Sequence, residues 1–296
     1  DENLSYLITG DEAHLAYNFS LPPLLLEALI TNRADLVNKW LCHWPELPSK
    51  TSLLNFTASH DGVGLRPLEG LMDEERICSL LFNCEKRGGL VSHRKLSNGE
   101  EKPYELNISW WSAMEDGGRD PSLLQIQRFL LSQLFCLSLK GVPALYLQAL
   151  LASKNDHRSF SSSGQRRDLN RERFQADSLF LKLDDPNSTP SRIIKELTHA
   201  VKIRKKLNCF HPDSPMSCLT NGRKDIVIIS RGEHDERLFA VHNMTNTKLS
   251  LSLFDILFEN QITDSNPLFD CLNNQSINDM NISLSPYSVK WINKSN

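Results

Sequence analysis

From residue 14 to residue 147 short apolar runs alternate with longer stretches of helical periodicity, and a chain so patterned is confined to parallel strands joined by helical crossovers. His14 to Phe19 reads as a strand. Leu24 to Thr31 reads as a helix entered through Pro22-Pro23, because proline suits a helix's first turn. Ser52 to Ala58 is a second strand, ending at Ser59-His60-Asp61-Gly62, and Asp73 to Lys86 a helix stopped by Gly88-Gly89. Ser122 to Lys140 carries Leu123, Ile126, Leu130, Leu134 and Leu137 at helical spacing, and Gly141-Val142-Pro143 leads into a third strand, Ala144 to Leu147.

Two segments interrupt this alternation. Residues 88 to 118 are polar and turn-rich, and read as an insertion over one end of the sheet with a hairpin arm near Tyr104 to Ile108. Residues 152 to 178, rich in Ser, Asn and Arg, read as a loop long enough to be functional. After a last amphipathic helix, Ser191 to Leu207, the texture changes beyond Pro215. Ile226 to Ser230, Leu238 to Val241, Leu249 to Phe254, Ile282 to Leu284 and Val289 to Ile292 are short β-type runs between Asn, Asp, Gly and Pro. The expected fold class is therefore α/β: β/α units around a parallel sheet over residues 1–212 with the insertion at 88–118, then a small antiparallel β domain over 213–296.

A chain of 296 residues, 40% hydrophobic and 23% charged, can bury a substantial core. Its formal charge of -3 argues against nucleic acid as a partner, because polyanion-binding surfaces rely on many Lys and Arg. No apolar run reaches the roughly 18 to 20 residues that a membrane span requires, and Phe129 to Leu139 is broken by Ser132, Gln133 and Ser138. The seven cysteines are scattered, odd in number and never spaced C-x-x-C, which suits neither a disulfide framework nor a zinc site and fits a cytoplasmic location. Residue 1 is Asp with no signal-like segment after it, so the expectation is a chain that begins inside something longer or after processing.

The sharpest local signal is Leu54-Asn55-Phe56-Thr57-Ala58-Ser59-His60-Asp61-Gly62-Val63-Gly64-Leu65-Arg66-Pro67. A His-Asp pair where a buried strand ends, before two glycines, stands where a parallel barrel keeps its reactive groups, the C-terminal rim. Taken alone the pair is better explained as a capping or hydrogen-bonded pair in a loop. The segment is similar to the fourth conserved region of the α-amylase clan, glycoside hydrolase family 13, in the form seen in sucrose phosphorylases and glucosylglycerate phosphorylases. Gly10-Asp11-Glu12-Ala13-His14 running to Leu24, Pro103-Tyr104-Glu105-Leu106-Asn107, Gly141-Val142-Pro143-Ala144-Leu145-Tyr146 and Gly164-Gln165-Arg166-Arg167-Asp168-Leu169-Asn170-Arg171 resemble the same subfamily in the same order. The resemblance implies that residues 1–212 are the C-terminal part of a (β/α)8 barrel, about its last three strands.

Such enzymes are retaining: one carboxylate attacks the anomeric carbon, a second serves as acid and then base, and the transition state is oxocarbenium-like. A third carboxylate binds sugar hydroxyls and favours that state electrostatically. By resemblance Asp61 matches this third carboxylate and His60 the neighbouring sugar ligand. Asp168, Asn170 and Arg171 match the loop that reaches the glucose subsite, where a planar guanidinium can hold several oxygens. Read without the resemblance, Arg166, Arg167, Arg171 and Arg173 are a solvated basic face. Ala149 to Asp156 match a mobile loop that shapes the acceptor site, with Lys154 as a candidate phosphate contact. Tyr104, Trp110 and Trp111 read as packing aromatics. The motifs of the nucleophile and the acid/base do not occur, and Glu2 is not the latter, since Asp1 to Tyr6 resembles the stretch that follows it.

The resemblance implies a retaining phosphorylase that moves glucose from an α-glucoside to inorganic phosphate, giving α-glucose 1-phosphate, with no metal or organic cofactor. Tyr104-Glu105-Leu106-Asn107 and the helix Leu24 to Leu29 lean toward relatives acting on glucosylglycerate or phosphorylated sucrose. The competing readings are a degenerate or split-gene remnant that only binds sugar, and a hydrolase or transglucosidase of the same clan. A closed barrel needs eight strands and about 250 residues, so three strands predict an unpaired edge, an exposed apolar face and no activity in isolation.

Overall fold

The computed structural model describes residues 2–10, 12–117, 122–219, 222–260 and 268–294. Asp1 and Asp11 of the motifs above, residue 118 of the insertion, and 220, 221, 261–267, 295 and 296 of the β region lie outside the described residues.

The chain opens with α1 (Glu2–Ile8), β1 (Leu15–Tyr17), α2 (Leu21–Thr31), α3 (Asp35–Leu41) and β2 (Ser52–Phe56). After β3 (Val63–Gly64), α4 (Glu74–Glu85) leads to the hairpin β4 (Leu90–Lys95) and β5 (Glu101–Asn107), followed by the short α5 (Trp110–Ala113), the long α6 (Leu123–Ser138) and β6 (Val142–Ala144). The strands β1, β2 and β6 form one parallel sheet in that order, with Leu15 opposite Ser52 and Phe56 opposite Ala144. Parallel neighbours need a long crossover, and α2 with α3, then α4 to α6, supply the two. Side-chain amides tie the strands laterally: Asn18 donates to Asn55 at 2.8 Å, and Asn55 to the carbonyl of Lys140 at 2.9 Å.

Local chemistry sets the helices. Asp73, Ser122 and Ser188 accept from the amides of Arg76, Gln125 and Ser191, capping α4, α6 and α10 (Thr189–Arg204). Helix α2 is apolar almost all round and is buried on nearly every side. Its one acid, Glu27, is 1% exposed and receives Arg76 Nε at 2.9 Å, while Arg76 Nη1 reaches Asp35 at 2.8 Å. Burial outweighs Arg76 and raises the Glu27 carboxyl above its usual range.

Three readings of the sequence are corrected. The run Ala144 to Leu147 is not a strand: pairing stops at Ala144 because its partner β2 ends at Phe56, and Leu147 begins α7 (Leu147–Leu150). So short an apolar run has no periodicity that separates strand from helix. Residues 152 to 178 are not one loop but α8 (His157–Ser163), a 3-10 turn (Arg166–Asn170) and the start of α9 (Ala176–Asp184). Two residues of the segment are capping groups: Asp156 accepts from the Ser159 amide, and Gly164 ends α8 with φ of 69°. Finally, Leu249 to Phe254 divides at Ser252, which ends a strand and caps a helix.

Beyond residue 215 lie β7 (Met216–Cys218), β8 (Ile226–Arg231), β9 (Leu238–Asn243), β10 (Leu249–Ser252), α11 (Leu253–Glu259), β11 (Leu268–Asp270), β12 (Gln275–Ile277), β13 (Asn281–Leu284) and β14 (Val289–Lys294). Six of the strands make an antiparallel sheet, β12-β11-β14-β9-β8-β7, and β10 pairs with β13. Alternate residues of β8, β9 and β14 serve two cores. Val227, Ile229, Ala240 and Trp291 join the core of α2, α4 and α6, while Ile226, Ile228, Phe239, Val241 and Ile292 pack with α11 and Leu284. The seam is polar at Ser138, whose Oγ accepts from Trp291 Nε1 at 3.0 Å and lies 3.2 Å from His242 Nε2.

On the opposite side, among the described residues, β1 is hydrogen-bonded to β2 alone. Leu15, Tyr17 and Phe19 stand exposed beside it, Tyr17 at 57%, with Tyr17 stacked on Phe19 at 5.4 Å and both edge-on to Phe56.

Candidate active site

The strand β2 runs out at Phe56, and the chain continues over the sheet's C-terminal rim as Thr57 to Gly62 before pairing with β5 as β3. Thr57 is buried and accepts from Gln133 Nε2 of α6 at 2.9 Å, so the exit angle of this loop is fixed at its base. At its tip the amide of Asp61 donates to Ser59 Oγ at 3.1 Å. The loop presses on β5 so closely that a Cβ on Gly62 would lie 2.5 Å from Asn107 Nδ2 and 2.6 Å from Glu105 Cγ. Glycine is required there for space.

The turn 166–170 closes on this loop through its backbone. Asn170, 4% exposed, donates to the carbonyl of Asp61 at 3.1 Å, and Arg171 Nε donates to the carbonyl of His60 at 2.6 Å. Two guanidinium groups and an imidazole gather at the Asp61 carboxylate: Oδ1 lies 2.7 Å from Arg167 Nη1, 3.6 Å from Arg171 Nη2 and 3.7 Å from His60 Nε2. Its side chain is 41% exposed, within reach of a ligand.

Arg167 is held from the far side by Glu105 of β5. Nε donates to Oε1 at 3.1 Å and Nη2 to Oε2 at 2.7 Å, the two-pronged arrangement of guanidinium on carboxylate. Asn107 Nδ2 adds a bond to Glu105 at 2.6 Å. Burial alone would raise the Glu105 carboxyl, but the bonds from Arg167 and Asn107 prevail and hold it below the usual carboxylate range. Between this hairpin and the turn 164–167 lies a cavity of about 480 Å³, lined by Tyr104, Glu105, Phe160, Gln165, Arg166 and Arg167.

The structure thus brings His60, Asp61, Asn170 and Arg171 together and leaves two of the expected residues apart. Asp168 is half-buried in the same turn, where its carbonyl accepts from the Arg171 amide. Lys154 exposes its side chain and contributes its amide to Glu172 at 3.2 Å. Trp110 and Trp111 are buried packing residues, as the sequence suggests, whereas Tyr104 lines the cavity. Arg167 and Glu105 were the residues that sequence reasoning passed over. The signal for Glu105 is its pairing with Asn107 two positions on, which puts two polar side chains on one face of a strand. Nothing in the local sequence separates Arg167 from Arg166.

No protein-family model matches the chain. Among solved structures, the sucrose 6F-phosphate phosphorylase from Thermoanaerobacter thermosaccharolyticum superposes with a TM-score of 0.63 at 20% identity, over 78% of this chain and 43% of that one. The trehalose-6-phosphate hydrolase of Bacillus licheniformis gives 0.60 at 12% identity, over 100% of this chain and 54% of that one. At such identities the likeness defines a fold, that of the C-terminal part of an α-amylase-type (β/α)8 barrel followed by an antiparallel β domain. By sequence the chain is 35% identical to the glucosylglycerate phosphorylase of Allomeiothermus silvanus, over 83% of this chain and 44% of that protein. It is 31% identical to that of Escherichia coli K12 over 98% of this chain and 50% of that protein, and 27% identical to the sucrose phosphorylase of Bifidobacterium adolescentis over 73% and 41%. By sequence the chain is thus related to glucosylglycerate and sucrose phosphorylases, and it spans about half the length of the relatives it matches.

Proposed function

We propose that this chain is the C-terminal part of a retaining glucoside phosphorylase, with residues 1–212 contributing to the barrel and 213–296 forming the β domain, and that it works in the cytoplasm. The observation that carries the reading is the placement of Asp61 at the C-terminal rim of β2, its backbone pinned by Asn170 and Arg171 and its carboxylate facing solvent. In this reading Asp61 accepts hydrogen bonds from glucosyl hydroxyls and favours the cationic transition state. His60, Asn170 and Arg171 shape the glucose subsite, and Asp168 and Lys154 lie at its margin. The relatives' names favour glucosylglycerate as the α-glucoside, with inorganic phosphate as acceptor and α-glucose 1-phosphate as product. The nucleophile and the acid/base would come from the half of the barrel that the relatives possess in addition.

The test is to incubate the chain with glucosylglycerate or sucrose and phosphate, alone and with the N-terminal half of the Escherichia coli relative supplied in trans, and to measure α-glucose 1-phosphate. The expected result is release only with the added half. Release by the chain alone overturns the fragment reading. Phosphate-independent release of glucose points to a hydrolase, and saturable sugar binding without turnover in either mixture points to a binding remnant.

A further inference from the structure

Arg167 stands between two carboxylates and serves them unequally. Glu105 takes the Nε and Nη2 edge of the guanidinium with both oxygens, which leaves Nη1 to form the ion pair with Asp61 Oδ1 at 2.7 Å. Arg171 and His60 likewise make their shortest approach to Asp61 at Oδ1. A free guanidinium beside a carboxylate prefers to grip both oxygens in a fork. Such a fork on Asp61 would occupy the second oxygen as well, where a sugar hydroxyl has to bind.

We infer that Glu105 and Arg167 together position Asp61: Glu105 restrains Arg167 to an ion pair through Nη1, so that Arg167 orients Asp61 through Oδ1 while Oδ2 stays available to the sugar. This deepens the glucosyl-binding reading of Asp61 and rests on it. Neither residue touches the sugar in this arrangement. Both act through Asp61. Glu105 suits the task because it is anchored on β5, nine-tenths buried, with Asn107 fixing one oxygen. Arg167, by contrast, is 46% exposed and would be mobile without that anchor.

The consequence is a pair of opposite effects within one cluster. Glu105→Gln releases Arg167 to fork onto Asp61 and cap it. Arg167→Gln uncaps it. Arg167→Lys keeps a cation that can meet Asp61 only end-on, so the double variant E105Q/R167K should behave more like the parent than E105Q does.

The experiment labels the folded 296-residue chain with a water-soluble carbodiimide and an amine, and quantifies modification of Asp61 by peptide mass spectrometry. Labelling of Asp61 is expected to fall several-fold in E105Q, to rise several-fold in R167Q, and to return toward the parent value in E105Q/R167K. If these residues only dock the hairpin, E105Q and R167Q both loosen the site and both raise labelling, and that result overturns the inference, as does an unchanged value in both. The readout needs no turnover, so it decides the positioning role even if the phosphorylase reading fails. Where the complemented mixture does release glucose 1-phosphate, E105Q is expected to lower kcat/KM about 10- to 100-fold, chiefly by raising KM for the glucoside, with R167K restoring much of the loss. An E105Q mixture with the parent's KM overturns the inference while leaving the phosphorylase reading intact.

Discussion

Gly62 lies against Glu105 with no room for a methyl group, since a Cβ on the glycine would come within 2.6 Å of the glutamate Cγ and within 2.7 Å of the Leu106 carbonyl. The loop that carries Asp61 and the strand that carries Glu105 are therefore in backbone contact. A Gly62→Ala variant has to push the two apart, at a cost of about 1–3 kcal/mol for overpacking. A urea denaturation series should show a lower midpoint, and the displaced loop should break the 2.7 Å pairing of Arg167 with Asp61. An unchanged midpoint would show that the loop and β5 can separate freely.

A second prediction concerns Glu27, buried in α2 with Arg76 as its cation. Arg76→Met leaves that acid unpaired and should cost about 3–5 kcal/mol. Burial already raises the Glu27 carboxyl, so without Arg76 the folded state holds its proton still more firmly. A folded acid with a raised pKa binds more protons than the unfolded chain, and stability then falls as pH rises. The melting temperature of Arg76→Met should drop between about pH 5 and about pH 8 more steeply than that of the parent. Glu27→Gln in the same background should flatten that slope.

His242 provides a third. It is fully buried between Ser138 and the Val227 carbonyl, and burial pushes its imidazole down to about 4. The unfolded chain takes up its proton near pH 6.5 and the folded chain only near 4, so this group's contribution is complete above pH 6.5 and is lost as pH falls toward 4. The full effect is about 3 kcal/mol. Thermal melts across that window should show a decline that His242→Gln shallows, whatever its effect on absolute stability.

The aromatic group beside β1 gives the fourth. Tyr17 and Phe19 are exposed next to a strand edge, and apolar surface at an open edge favours association. Replacing both with Ser should reduce binding of a hydrophobic dye and reduce self-association in sedimentation velocity. The melting temperature should change little, because neither ring is buried.

How far the sequence foretold this molecule depended on the range over which each feature is determined. The strands β2, β8, β9 and β14 and the helices α4, α6 and α10 are encoded by runs of their own residues, and their positions were readable from apolar spacing and caps. The helix α8 is not legible in the sequence because residues such as Asp156 and Gly164 occur equally in loops and as helix caps, and the Ser-rich stretch between them has weak helix propensity. The false strand at Ala144 to Leu147 came from ignoring the partner, since only the end of β2 decides where β6 must stop. In the site, His60 and Asp61 were legible as a strand-end pair. Arg167 was not, because its role arises from Glu105, which is 62 residues away in sequence and reaches it only through the hairpin.

The seam at Ser138 bears on how such chains can be recombined. Within one turn at the end of α6, the Ser138 hydroxyl serves Trp291 and His242, and its carbonyl receives Arg231. At the other end of the same helix, Arg128 donates to the Tyr287 hydroxyl at 2.7 Å. Strands β8, β9 and β14 and the segment before β14 are thus keyed to a helix whose matching residues precede them by 93 to 159 residues. A chimera joined at residue 212 would separate these locks from their keys and leave a buried arginine and a buried histidine facing a foreign helix. A join at the start of α6 would still cut the bonds of Tyr287 Oη to Asn32 Oδ1 and of Asn38 Nδ2 to the Ile226 carbonyl, so the β domain is exchangeable only together with the helices from α2 onward.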